Sequence, residues 1–421
     1  MKKMALAMVA AIVCLSSVAG AQEKRAPETA QPDEGLWLSF GDALRLARRS
    51  SPAAMATPRR VEEAEATRVD AGIYPRQNPL LELEAGPRLV GENVESAVFS
   101  AALTQTFDLG GGVGARTRRA DAQVALARAD GETAIQHTQR AVALAFVRGL
   151  WAEQRRFLAN ESQRIAKTVH EATKKRVEAG DATALELNVA RGGYARALAD
   201  HTAAEGTVEA SKGELRSLLG LTASEPLGLK GALDTALVAD GAKAKTGAAN
   251  RADVRALAAD LAAAEADSDL ADALAAPQLG VGARYEFEDD RQHTIVGIFS
   301  LTLPFFDHGQ GLAAVARAKA ARAKTELAAK RSAASVEVET AARVAEKRAD
   351  ASKAFDLEKG VESFQDNLNL AMKGYQAGET SLAEVVTVRR ELIETEAARI
   401  DRLLELRNAE IELMFAGGVL P

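Results

Sequence analysis

Residues 277–311 contain two runs in which apolar and polar side chains alternate, joined by a short charged turn. Leu279 and Tyr285 share one face of the first run, and Ile295 and Phe299 share one face of the second. Alternation with a period of two is typical of β-strands, and about ten residues suffice for a tilted strand to cross a bilayer. The stretch therefore predicts a β-hairpin, either in a membrane or in an ordinary amphipathic soluble sheet.

A second stretch of the same design lies upstream. Leu81 and Leu83 alternate with glutamates, and after a polar turn Phe99 and Leu103 alternate with small or polar residues. The chain is thus expected to contain four strands in two hairpins, at about 79–108 and 277–306.

Most of the remaining chain is predicted to be helical, because only 11 of its 421 residues are proline. The intervals 88–225 and 305–420 contain no proline and are rich in residues that favour helices. A helix from Gly114 to Ala179 would be about 100 Å long. The predicted fold class is mainly α with a small β part.

Other segments carry more local signals. Leu36 to Arg49 has the pattern of a short amphipathic helix, and 226–250 is rich in glycine and predicted to be a loop. In the second half, one long helix is expected to run to Gln376, with a coiled-coil seam from Val361 to Tyr375.

The two halves repeat the same order of landmarks. Pro79 matches Pro277 and Glu186 matches Glu384, each pair 198 positions apart. Distant landmarks in a constant register indicate an internal duplication of helix, hairpin, long helix, tip and return helix. The predicted divisions are a first repeat at 36–226 with its tip at about 178–183, a linker at 227–250, and a second repeat at 251–421 with its tip at about 376–381.

The N-terminus is interpreted as a targeting segment. Lys2 and Lys3 precede an apolar run and a small-residue cleavage site, which predicts a signal peptide over 1–21 and a flexible exported segment over 22–35. Lipidation of Cys14 is the alternative interpretation of this region. Cleavage after residue 21 would remove the only cysteine and so exclude disulfides and thiolate metal sites.

Charge and composition exclude several functions. Loss of Lys2 and Lys3 changes the formal charge from −6 to −8, which argues against nucleic acid as a partner. The five histidines are scattered without ligand spacing, so neither a metal site nor a cofactor site is indicated. Nothing in the sequence predicts an enzyme. No apolar run after the signal peptide is long enough for a spanning helix, so any membrane passage would use the strands.

Four strands cannot close a membrane barrel, because an open sheet edge in lipid leaves backbone groups unpaired. Three copies would supply a 12-stranded transmembrane β-barrel and a trimeric α-barrel of long coiled-coil helices. Export by the signal peptide would place those helices in the periplasm and the hairpin turns outside the cell.

The sequence resembles the TolC family of outer-membrane efflux channels over nearly all of the mature chain. The segments that carry this resemblance are LSFGDALRLARRSSP, YPRQNPLLELEAG, TFDLGGGVGARTRRA and LTLPFFDHGQG. The last is similar to the CzcC-like heavy-metal branch, with His308 and Gly309 in place of the usual Arg-Asn. The resemblance implies a homotrimer in outer-membrane lipid, engaged by a periplasmic adaptor and an inner-membrane pump of the resistance-nodulation-division (RND) type.

The resemblance also implies roles for the helix tips. In the family the tips contact the adaptor and close the periplasmic entrance, which an acidic ring lines in several members. Glu384 matches the first acid of that ring, Thr387 stands where a second would be, and Glu186 is the counterpart of Glu384. The residues that match the tip motif are Ala179, Gly180, Asp181, Ala377, Gly378 and Glu379.

Capping of the return helices is the structural alternative for the two glutamates. Thr183 to Glu186 and Ser381 to Glu384 both have the Ser/Thr-x-x-Glu pattern of a capping box. For the whole chain, the sequence leaves two other functions open. One is the outer-membrane duct of a type I secretion or MacB-like system, and the other is a periplasmic coiled-coil scaffold.

Overall fold

The computed structural model describes residues 36–90, 93–236, 248, 251–288, 292–306, 309–357 and 360–419. The predicted signal peptide with Cys14, the segment 22–35, much of the predicted linker and His308 lie outside the described residues.

The described residues form eight helices and six strands, so the prediction of a mainly α chain with a small β part is confirmed. The helices are α1 (Phe40–Ser50), α2 (Pro52–Ala71), α3 (Gly112–Ala179), α4 (Ala184–Leu219), α5 (Ala252–Leu274), α6 (Gln310–Leu357), α7 (Gly360–Ala377) and α8 (Leu382–Ala416). The strands are β1 (Leu36–Ser39), β2 (Leu80–Val90), β3 (Asn93–Asp108), β4 (Leu227–Lys230), β5 (Gln278–Glu288) and β6 (Gln292–Thr302).

Four of the strands form one antiparallel sheet in the order β2-β3-β5-β6. The two hairpins lie side by side, since β3 of the first pairs with β5 of the second, with Leu103 opposite Ala283. On β5, a Cβ at Gly282 would lie 2.5 Å from the carbonyl oxygen of Leu103. The glycine therefore permits a close approach of the two hairpins at their junction.

The sheet has an apolar face and a polar face. The register places most of the large apolar side chains on one face, although Leu80, Val296 and Ile298 lie on the other. The exposed members of this apolar face are Leu81, Leu83, Phe99, Leu103, Tyr285, Phe287, Ile295, Phe299 and Leu301. The opposite, polar face carries Glu84, Ser100 and Glu286 in one row across three strands.

The prediction of a helix from Leu36 was wrong at its start. Residues Leu36–Ser39 form β1, which pairs in parallel with β4, and Leu38 is buried there. The Ser39 hydroxyl accepts a hydrogen bond from the backbone N–H of Asp42, and the Asp42 carboxylate accepts one from the N–H of Ser39. This capping box starts α1 only at Phe40. β4 also lies in the region predicted to be a loop.

The region predicted as one long helix to Gln376 is helical on both sides of residues 358–359, as α6 to Leu357 and α7 from Gly360, and those two residues lie outside the described ranges.

The main apolar core is formed by α1, α3, α4 and α8 around β1 and β4. Its largest fully buried side chains include Leu44, Phe146, Leu215 and Ile411. A smaller cluster lies at the far end of the long helices and centres on Tyr375 and Val385. Among the described helices, none has an apolar stretch sufficient to cross a lipid bilayer.

Candidate functional site at the helix tips

The chain reverses direction at two glycine turns. We call them the first tip, between α3 and α4, and the second tip, between α7 and α8. Gly180 and Gly378 have φ values of +86° and +80°, in the left-handed region that favours glycine. The N–H of Asp181 donates to the carbonyl of Arg176 at 2.7 Å, and the N–H of Glu379 donates to that of Gly374 at 2.8 Å. These bonds satisfy the last carbonyls of each helix.

Both return helices begin with a capping box. At α4, the N–H of Thr183 donates to the Glu186 carboxylate at 2.9 Å, and the N–H of Glu186 donates to the Thr183 hydroxyl at 3.3 Å. At α8, the corresponding distances between Ser381 and Glu384 are 3.0 and 3.2 Å. The capping interpretation of the two glutamates is therefore confirmed, and it is compatible with a further role for the same carboxylates.

The residues predicted to contact an adaptor all lie at the surface of the two tips. Ala179, Gly180 and Asp181 are exposed on the first, and Ala377, Gly378 and Glu379 are exposed on the second.

The proposed gate residues lie one or two turns into the return helices. Glu384 and Thr387 are exposed, whereas Glu186 is half-buried. The Thr387 hydroxyl donates to the carbonyl of Ala383 at 2.8 Å within its own helix. The assignment of a gate role to these three residues stays a prediction.

Arg176 joins the two tips. Its Nη1 donates to the carbonyl of Tyr375 at 3.0 Å, and its Nη2 donates to the carbonyl of Asp181 at 3.1 Å. Its Cζ also lies 4.7 Å from the centre of the Tyr375 ring, within cation–π range. One guanidinium thus holds both turns at once.

Tyr375 adds a buried hydrogen bond to the same contact. Its side chain is fully buried, and its hydroxyl lies 2.8 Å from that of Thr173. The Thr173 hydroxyl lies 2.8 Å from the carbonyl of Val169, to which it donates its proton. Tyr375 is therefore the donor between the two hydroxyls.

Sequence reasoning placed Tyr375 only in an apolar seam and did not identify Arg176 or Thr173. A signal was present, because a tyrosine in an otherwise apolar seam needs a partner for its hydroxyl when buried. The identity of that partner depended on a contact between helices from opposite halves of the chain.

Further from the tips, Arg389 of α8 reaches toward α3 and α4. Burial lowers the pKa of Arg389, the positive charge of Arg196 lowers it further, and Asp200 opposes both effects. The site therefore has two parts. One is the hydrogen-bonded contact at the tips, and the other is the pair of like charges on Arg389 and Arg196, further along the helices. Within the described ranges, no group of three or more His, Cys, Asp or Glu side chains is arranged to hold a metal ion.

Known structures share this architecture. The outer membrane protein VceC of Vibrio cholerae is 17% identical, with a TM-score of 0.70 over 90% of this chain and 96% of VceC. The CmeC outer membrane channel of Campylobacter jejuni is 15% identical, with a TM-score of 0.73 over 90% and 85% of the two chains. The open state of the MtrE outer membrane channel of Neisseria gonorrhoeae is 18% identical, with a TM-score of 0.70 over 90% and 89%.

At such low identities these structures establish the fold. No protein with a curated description matches the sequence. The family described as outer membrane efflux protein matches residues 44–221 and 245–419, which together are most of the chain. These findings confirm the resemblance to TolC-family channels, while the narrower heavy-metal branch stays a prediction. The chain belongs to the outer membrane efflux protein family.

Proposed function

We propose that three copies of this chain form a passive channel in the outer membrane, through which substrates leave the periplasm for the exterior. In this proposal the channel works with a periplasmic adaptor and an RND-type pump of the inner membrane. The long helices project into the periplasm, and heavy-metal cations are among the candidate substrates.

The apolar face of the sheet is the observation that carries this proposal. Ile295 is 79% exposed and Phe299 is 78% exposed, although both are large apolar side chains. In water a contiguous face of this kind is unfavourable, at about 25 cal/mol for each Å² of apolar surface. Lipid removes that cost, and the polar face with Glu84 and Glu286 would then line an aqueous lumen.

The sheet edges support the assembly of several copies. Among the described strands, β2 and β6 each have one neighbour, so each has an unpaired edge. Such edges are not stable within lipid, and twelve strands from three copies would remove all of them. The same symmetry would bring three pairs of tips together at the periplasmic end.

The tips support a gate and an adaptor site. Their exposed turns offer a surface to a partner, and three copies of Glu384 around a narrow entrance would favour cations over anions. The heavy-metal interpretation rests on that charge and on the sequence that closes the second hairpin, LTLPFFDHGQG.

Engineered disulfides between β2 and β6 test the assembly directly. Leu83→Cys would be combined with a cysteine at Ile295, Gly297 or Phe299 in the chain without its signal peptide, which has no other cysteine. In one chain β3 and β5 separate these positions by about 14 Å, and a disulfide requires a Cα separation below about 7 Å. Only neighbouring copies can therefore form the bond.

The expected result is a covalent trimer on non-reducing gels for at least one of the three pairings. Leu83→Cys alone is the matched control, because a single cysteine can join two copies but not three. Absence of trimer from all three pairings, together with no conductance in planar bilayers, would refute the channel. A coiled-coil scaffold would also leave the membrane in high salt, whereas a barrel would require detergent.

A further inference from the structure

A large cavity lies along the helices, between β1 and β4 at one end and the Tyr375 cluster at the other. Its volume is about 1130 Å³, and its walls come from α3, α7 and α8, with β1 and β4 at one end. This volume is at or slightly above the range of sites that enclose drug-sized molecules. The tip contacts made by Arg176 and Tyr375 do not involve it.

Two exposed aromatic rings line the cavity. Trp37 is 58% exposed and Phe157 is 66% exposed. Aliphatic side chains such as Leu158, Ile165 and Met372 complete an apolar wall. Aromatic faces attract organic cations through the ring quadrupole, so a wall of this composition favours a ligand that is both apolar and positively charged.

The cations of the cavity are already engaged. Lys212 lies 2.8 Å from Glu153, and Arg164 lies 2.7 Å from Glu161. Burial alone would raise the pKa of Glu153, but its hydrogen bonds with Lys212 and Arg156 lower it, so the first pair stays ionised at neutral pH. Arg399 also has an interaction partner.

One carboxylate of the cavity is different. Glu396 of α8 lines the cavity and is half-buried, and within the described part of the chain no ion pair or hydrogen bond satisfies its carboxylate. A carboxylate without a partner beside an apolar wall is available to pair with a cation from outside the chain.

We propose that this cavity binds lipophilic organic cations, with Trp37 and Phe157 as the aromatic surface and Glu396 as the counter-charge. The site would hold such a compound in the helical wall of the protein. It does not depend on the channel role, because a passive conduit needs no binding site of this kind.

Binding of tetraphenylphosphonium by the purified full chain in amphipol tests the proposal, with equilibrium dialysis as the measurement. Tetraphenylborate is the matched control ligand, since it has nearly the same size and shape and the opposite charge. We expect tetraphenylphosphonium to bind at least about tenfold more tightly, because a single carboxylate close to a cation in a partly buried site provides about 1.4 kcal/mol or more. Its binding should also quench the fluorescence of Trp37.

Two variants locate the site. Glu396→Gln should weaken tetraphenylphosphonium binding about tenfold and should not weaken tetraphenylborate binding, since the repulsion of the anion is removed. Phe157→Ala should weaken the binding of both ions. Glu394→Gln is the matched control, because Glu394 lies on the same helix with its side chain exposed and 3.5 Å from Arg390. It should leave both affinities unchanged.

Three results would overturn the proposal: no binding of tetraphenylphosphonium, equal binding of the two ions, or equal effects of Glu396→Gln and Glu394→Gln. None of these results bears on the disulfide-linked trimer or on conductance. Failure of the site and failure of the channel are therefore distinguishable.

Discussion

The hydroxyl of Tyr375 donates a hydrogen bond to that of Thr173, at 2.8 Å, although 202 positions separate the two residues in the chain. The bond is buried and joins α7 to α3, and the Arg176 guanidinium covers the same tyrosine ring. The two tips of one chain are therefore a single mechanical unit. Any movement of one turn relative to the other has to break these contacts or carry both turns along.

Tyr375→Phe should loosen the tips without disrupting their packing. The ring beneath Arg176 remains, while the buried hydrogen bond to Thr173 is lost at a cost of about 0.5–1.5 kcal/mol. We expect faster amide hydrogen exchange at both tips and unchanged exchange around Phe146 in the main core. Equal protection of the tips in variant and wild type would show that the hydroxyl contributes nothing to their coupling.

Gly378→Ala should destabilise the second tip. A Cβ at a φ of +80° costs about 1–2 kcal/mol, although open space surrounds the residue. Gly192→Ala is the matched control, because Gly192 lies inside α4 with equally open space, and there alanine should stabilise by about 0.5–1 kcal/mol. Thermal unfolding should shift in opposite directions for the two variants, and a shift in the same direction would contradict the backbone argument.

Glu384→Gln separates the capping role from the proposed gate role. Glutamine also serves in a capping box, so the helix start should be preserved while the charge is removed. If three Glu384 side chains surround the entrance, the ratio of cation to anion permeability should fall to about half or less. Reversal potentials in asymmetric salt provide the measurement. An unchanged ratio with an unchanged melting temperature would leave capping as the only role of this residue.

Asp253→Asn should destabilise the protein at neutral pH and not in acid. Burial alone would raise the pKa of Asp253, but hydrogen bonds with Arg251 and Lys330 outweigh it and lower the pKa. A lowered pKa in the folded state provides stability above about pH 4 that is lost as the pH falls through that pKa. We expect a loss of about 1.5–3 kcal/mol at pH 7, where Arg251 stays buried without one of its two charged partners.

Melting temperatures measured between pH 3 and 7 would test this expectation, and the difference between variant and wild type should shrink as the pH falls. Asp272→Asn is the control, since it removes an exposed partner 2.8 Å from Arg317 and should cost less than about 1 kcal/mol. A difference that is independent of pH would refute the electrostatic explanation.

Asp130→Asn should have the opposite effect and stabilise the protein at neutral pH. Partial loss of water raises the pKa of Asp130, and repulsion from Asp260 raises it further, while Arg60 opposes both effects. A raised pKa means that the ionised form is disfavoured by folding, so this contribution to stability is lost as the pH rises through the folded-state pKa. The variant should melt at a higher temperature than wild type at pH 7 and at the same temperature below about pH 4. The gain in free energy of unfolding at pH 7 should be less than about 1 kcal/mol, because solvent screens an exposed group.

The sequence predicted the features that depend on short-range signals. Gly180 and Gly378 mark turns because other residues rarely adopt a left-handed backbone. Glu186 and Glu384 mark helix starts because a capping box needs only four consecutive residues. The proline-free interval and the glycines before the helix predicted that α3 starts at Gly114, and the observed start at Gly112 is two residues earlier.

Features that depend on distant pairing were missed for a physical reason. β1 has four residues and forms only because Leu36 meets Leu227, and nothing local to either segment encodes that parallel pair. The contact of Arg176 with the Tyr375 carbonyl likewise spans 199 positions. Periodicity indicates which face of a helix is buried, but it does not identify the opposite partner.

The unpaired edges of β2 and β6 have a consequence for biogenesis. An open strand edge beside an apolar face is a template on which further strands can add without limit, as in aggregates. In the proposed channel, a newly made copy in water would need a chaperone that covers these edges until other copies and lipid are available. The yield of assembled protein should therefore depend more on the rate at which copies associate than on the folding stability of each copy.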